Sequence, residues 1–120
     1  MARILIVDES MFARRVLRHI LETDGTHTVV GEAEDGAAAL VKYKELKPDV
    51  VTMDVIMPGE SGIETLKRLM EFDKNAKVLM VSAMGQGKVV EEVMGLGARG
   101  FVVKPVSDKK LLEALKQVLG

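Results

Sequence analysis

Four short runs of almost unbroken apolar residues punctuate the chain: Ile4–Val7, Val50–Met53, Val78–Val81 and Phe101–Val103. Runs of this length that do not alternate with polar residues predict strands covered on both faces of a parallel sheet. A fifth run, Thr28–Val30, is weaker and predicts a strand near an edge. Between the runs the apolar residues recur at helical spacing. Phe12, Val16, Leu17, Ile20 and Leu21 form one stripe, and Leu111, Leu112, Leu115, Val118 and Leu119 form another. Ser10, Asp35 and Ser107 are candidate N-caps of the first, second and fifth helices. Ser61-Gly62-Ile63-Glu64 has the form of a capping box for the third. Pro48 ends the second helix, and Gly95 and Gly97 can close the fourth.

This is β-α repeated five times, with no linker, low-complexity tract or charge block. Strands alternating with helices imply right-handed crossovers and an α/β fold. Five units cannot close an eight-stranded barrel, so the prediction is an open, doubly wound parallel (βα)5 sheet in a single domain over 1–120. The 120 residues suffice for one core, which at this size buries about 65% of the unfolded surface.

Composition removes several function classes. Seventeen basic and 18 acidic residues balance, so the chain lacks the basic footprint of a nucleic-acid binder. Without cysteine there is no disulfide framework or thiolate chemistry. The first apolar run meets Asp8 at once, unlike a signal peptide, and no stretch is long enough to insert in a membrane. The expectation is a soluble cytoplasmic protein.

In a doubly wound sheet, ligands bind beyond the carboxyl ends of the strands. There the first strand delivers Asp8 and Glu9, the third Asp54, the fourth Ser82 and the fifth Lys104. Three clustered carboxylates repel one another unless something compensates. A hard divalent cation does so, and Mg²⁺ suits two or three carboxylates with water. An aspartate beside such a cation can attack phosphorus, with Lys104 neutralising the transferred group and Ser82 bonding one of its oxygens. Any of these residues alone has an ordinary structural explanation. The five together point to phosphoryl chemistry.

The stretches Ile4-Leu5-Ile6-Val7-Asp8-Glu9-Ser10, Val51-Thr52-Met53-Asp54-Val55-Ile56-Met57-Pro58, Val81-Ser82-Ala83 and Val103-Lys104-Pro105 resemble the motifs of response-regulator receiver domains. Their order and spacing match along the whole chain, with a likeness to CheY-type chemotaxis regulators. The resemblance implies the flavodoxin-like strand order 2-1-3-4-5 and a cis Lys104-Pro105 bond. It implies that a histidine kinase phosphorylates Asp54, with Mg²⁺ held by Glu9, Asp54 and the Ile56 carbonyl, and by Asp8 through water. Ser82 and Phe101 fill the switch positions. Ser10, Ala13, Arg14 and Pro105 fill the kinase-docking positions. The surface of the fourth helix, fifth strand and fifth helix would signal to a downstream protein, such as a flagellar motor switch or a phosphatase. A monomer that dimerises on phosphorylation is compatible with this.

Glu9 departs from the family's usual second aspartate, and Phe101 lacks the hydroxyl of a tyrosine. Gly85 and Gly87 are expected to loosen the loop after Ser82, and Ile56 and Met84 to shield the phosphoryl site from water. Met11, Met70, Met80 and Met94 read as gap-filling core. Other readings remain: a receiver cut from a longer DNA-binding regulator, a pseudo-receiver acting without phosphorylation, or an aspartate-nucleophile phosphatase, which would need a cap for which there are no spare residues. A flavodoxin shares the sheet order, but Asp8 and Glu9 would repel a flavin phosphate.

Overall fold

The computed structural model describes residues 2–85 and 87–120. Its elements alternate as β1 (Ala2–Val7), α1 (Met11–Asp24), β2 (His27–Ala33), α2 (Gly36–Leu46), β3 (Val50–Met53), α3 (Gly62–Phe72), β4 (Val78–Ser82), α4 (Gly87–Gly95), β5 (Gly100–Val103) and α5 (Asp108–Leu119). The five strands are parallel and ordered β2-β1-β3-β4-β5, as the family resemblance implied. The weak second run lies at an edge and extends to seven residues.

Alternate residues of each strand point to opposite faces, so each face has its own core. Ile4, Ile6, Val50, Leu79 and Val81 pack with Leu17, Ile20 and Leu21 of α1 and Leu111 and Leu115 of α5. Leu5, Val7, Val51, Met53, Val78 and Met80 pack with α2, α3 and α4 through Ala39, Tyr43, Leu66, Leu69 and Val93. This two-sided covering explains why β1, β3 and β4 read as continuous apolar runs. β5 reads the same way but forms the other edge, and Val103 is half exposed. A run of three apolar residues does not distinguish an edge strand from a central one.

The caps fall where predicted. Ser10, Asp35, Ser61 and Ser107 accept from the backbone N–H three residues on, at 3.1, 2.8, 3.3 and 3.2 Å respectively. The capping box is only half made, because the Glu64 carboxylate turns to Lys67. Lys47 caps α2 in the left-handed region just before Pro48.

Three side chains predicted as core are exposed. Phe12 lies 77% exposed at the start of α1, and Met11 and Met94 are also largely exposed. Phe12 instead lines a cleft with Val16, Pro105 and Val106. Among the described residues, no helix is long and apolar enough to cross a membrane.

Candidate functional site

Strand pairing continues one residue beyond the strands on this edge, and that continuation builds the site. The Asp8 N–H donates to the Ala33 carbonyl at 3.0 Å, and Asp54 N–H to the Val7 carbonyl at 3.1 Å. Lys104 N–H donates to the Ser82 carbonyl at 3.0 Å. Neighbouring strands thus hold the first residue after β1, β3 and β5 in register, and their side chains converge. The Lys104 ammonium donates to Asp8 Oδ2 at 2.6 Å and to Asp54 Oδ2 at 3.0 Å. These residues lie 96 and 50 positions from Lys104 in sequence.

Both carboxylates are buried, and each has its second oxygen engaged by local backbone. Asp8 Oδ1 accepts from Ser10 N at 2.9 Å, and Asp54 Oδ1 from Ile56 N at 3.3 Å. Two desolvated anions in one pocket would repel strongly, and one ammonium between them offsets that repulsion. Burial works against the charged form of Lys104, but its hydrogen bonds and charge contacts with Asp8 and Asp54 outweigh burial and raise its pKa. The Lys104-Pro105 bond is cis, as the resemblance implied.

The remaining candidate residues are arranged less tightly. Ser82 is fully buried at the end of β4, and its Oγ accepts from Met84 N at 3.2 Å. Glu9 is exposed. Among the described residues, no three acidic or histidine side chains group to hold a metal ion. The oxygens that do converge are those of Asp8 and Asp54, hard donors of the kind a divalent cation takes. Ile56 and Met84 are half exposed at the rim. Phe101 is partly buried against the α2–α3–α4 core.

Glycines close the loops around this edge. A Cβ on Gly62 would lie 1.8 Å from the Asp54 carbonyl oxygen, so the loop after β3 can fold back onto Asp54 only because residue 62 has no side chain. At Gly85, expected to loosen the loop after β4, space is also tight. A Cβ there would meet Val103 Cγ2 at 2.3 Å.

Of the docking positions, Ser10 and Ala13 are partly buried and Pro105 is exposed. Pro105 lines a cleft of about 230 Å³ with Phe12, Ala13, Val16 and Val106. Arg14 is 12% exposed and bound to Glu32 at 2.9 Å. Sequence reasoning missed Glu32 and its second partner Arg18 at 2.7 Å. These residues belong to different elements, and no local pattern marks their contact.

A five-stranded parallel sheet in this order, with two acids and a lysine meeting at its carboxyl edge, places the chain in the response regulator receiver domain family, whose sequence pattern matches residues 4–116. Chemotaxis protein CheY of Thermotoga maritima is 47% identical over 116 residues, covering 97% of this chain and 96% of that protein. Protein CcdB of Bacillus subtilis is 46% identical over 120 residues, covering 100% and 99%. Among solved structures, a chain of the CheX–CheY–BeF3–Mg²⁺ complex from Borrelia burgdorferi superposes with a TM-score of 0.95 at 39% identity, covering 98% of this chain and 89% of that one.

Proposed function

We propose that this receiver domain accepts a phosphoryl group on Asp54 from the phosphohistidine of a histidine kinase and signals to a protein partner, in chemotaxis. The observation that carries this reading is the Lys104 ammonium, held between Asp8 and Asp54 by residues from three strand ends. An Asp54 carboxylate oxygen attacks phosphorus, the O–P bond forms, and the N–P bond to the histidine breaks. Lys104 faces the charge that arrives with the phosphoryl oxygens. The buried Ser82 hydroxyl can turn its proton toward one of them.

By family likeness Asp54, Glu9 and the Ile56 carbonyl would hold Mg²⁺, with Asp8 acting through metal-bound water. When bound, the ion would supply charge neutralisation at the phosphoryl group. Engagement of Ser82 would draw in the loop after β4, and Phe101 would follow in its packing, altering the α4-β5-α5 surface. A protein of the CheX kind, a phosphatase or a flagellar motor switch would read that surface. Ser10, Ala13, Arg14 and Pro105, beside the exposed Phe12, form the kinase-docking face. The domain acts as a phosphoryl acceptor with slow self-dephosphorylation rather than as a metabolic enzyme, in the cytoplasm. A second reading, a receiver working without phosphorylation, draws support from the exposure of Glu9.

Intact-protein mass spectrometry after incubation with phosphoramidate separates the two. A single phosphoryl adduct that requires both Mg²⁺ and Asp54, and is lost in Asp54→Ala, is the expected result. No adduct in the presence of Mg²⁺ would overturn the leading reading in favour of the second.

A further inference from the structure

Arg14 stands outside the acid–lysine cluster, yet its guanidinium holds the backbone that carries Asp8. Its Nη1 donates to the Asp8 carbonyl at 2.7 Å and to the Glu9 carbonyl at 3.3 Å. Its Nε donates to Glu32 Oε1 at 2.9 Å. Glu32 is itself tied down. Its other oxygen accepts from Arg18 Nε at 2.7 Å, its backbone carbonyl accepts from the Lys42 ammonium, and in β2 it pairs with Ile6 of β1. A planar guanidinium has donors on more than one edge and can serve a carboxylate and two carbonyls at once, which an ammonium cannot do with the same geometry. Burial favours the neutral form of Glu32, but the two arginines outweigh it and keep its pKa below the ordinary value.

We infer that Arg14, locked by Glu32, is a positioning residue of the phosphorylation site: it fixes the Asp8–Glu9 backbone so that the Asp8 carboxylate stays aimed at Asp54 and Lys104. The role rests on the phosphoryl-acceptor reading, and it gives Arg14 work inside the domain besides any part in docking. Arg18 supplies an internal control, because it shares Glu32 but does not reach the Asp8–Glu9 carbonyls.

The test is titration calorimetry of Mg²⁺ into wild type, Arg14→Met, Arg14→Lys, Glu32→Gln and Arg18→Met. Loss of a residue that orients a ligating loop typically weakens metal binding by about tenfold or more. Arg14→Met is expected to bind Mg²⁺ about tenfold more weakly. Glu32→Gln and Arg14→Lys should fall between it and wild type, and Arg18→Met should match wild type. The Mg²⁺ concentration that half-saturates adduct formation from phosphoramidate should shift by the same factor, with the rate at saturating Mg²⁺ retained. Should Arg14→Met fail to fold, Arg14→Lys carries the test, since it keeps the charge. Wild-type Mg²⁺ affinity in the folded Arg14 variants, or an equal loss in Arg18→Met, overturns the positioning role. A wild type that binds no Mg²⁺ and forms no adduct overturns the phosphoryl reading and this role with it.

Discussion

The Thr52 hydroxyl is fully buried in the central strand, two residues before Asp54, with no hydrogen-bond partner among the described residues. A buried hydroxyl left unpaired costs about 1–3 kcal/mol, and valine has nearly the same shape. Thr52→Val should therefore raise stability by about 1 kcal/mol in urea unfolding. Gly62 is constrained in the opposite sense. Gly62→Ala would drive a methyl into the Asp54 carbonyl. Overpacking of this kind typically costs 1–3 kcal/mol, so the variant should lose about 2 kcal/mol in urea unfolding and form the phosphoryl adduct more slowly. At the rim, replacing Ile56 and Met84 together with asparagine should speed loss of the adduct, followed by mass spectrometry over time. An unchanged rate would show that neither side chain restricts water. The identities of Asp8, Asp54 and Lys104 were readable as a set, because each directly follows an apolar run. Arg14 and Glu32 were not readable as partners, since they are 18 residues apart on a helix and an edge strand.

Ser10 shows how an element and the site share a residue. Its Oγ caps α1 by accepting from Ala13 N at 3.1 Å, while its own N–H holds Asp8 Oδ1 at 2.9 Å. Removing a serine N-cap costs about 1 kcal/mol. Ser10→Ala should lose about that much in thermal unfolding, while keeping its adduct yield, because the backbone donor to Asp8 remains. The elements themselves were legible wherever one physical cause dominates. Caps are local, and all four predicted caps formed. Continuous apolar runs report two-sided burial, and β1, β3 and β4 have it. The exposed Phe12 and Met11 were misread because helical spacing gives the face of a residue but not whether the sheet extends beneath it.

Across the whole molecule, titration should limit stability on both sides of neutrality. The folded pKa of Lys104 is raised above 10.5, so its contribution is fully present below 10.5 and is lost as pH rises through the folded value. Burial lowers the pKa of His27 below 6.5, and its Nδ1 has no hydrogen-bond partner among the described residues. The unfolded chain therefore binds that proton first, and stability falls as pH drops below 6.5. Glu32 titrates below 4.5 in the fold, so its arginine network holds above 4.5 and is lost as pH falls through the folded value. Burial and its hydrogen bond to Asp73 also raise the Tyr43 pKa above 10, so denaturant midpoints measured against pH should form a plateau between about 6.5 and 10. His27→Gln should flatten only the first part of the acid limb. A wild-type midpoint that stayed level from neutrality to pH 5 would contradict the His27 assignment.

By itself the amino-acid sequence determined the alternation of strands and helices, their caps and the acids and lysine that leave the strands. These depend on local spacing and on which side chains tolerate burial. Tertiary structure alone decided which of those charges meet. It joined Lys104 to both Asp8 and Asp54, left Glu9 exposed, and tied Arg14 both to Glu32 and to the backbone that carries Asp8. Such contacts cross between elements and depend on strand order, register and the space left at glycines. A sequence pattern records the residues available for them, but the distances between those residues arise only when the sheet forms.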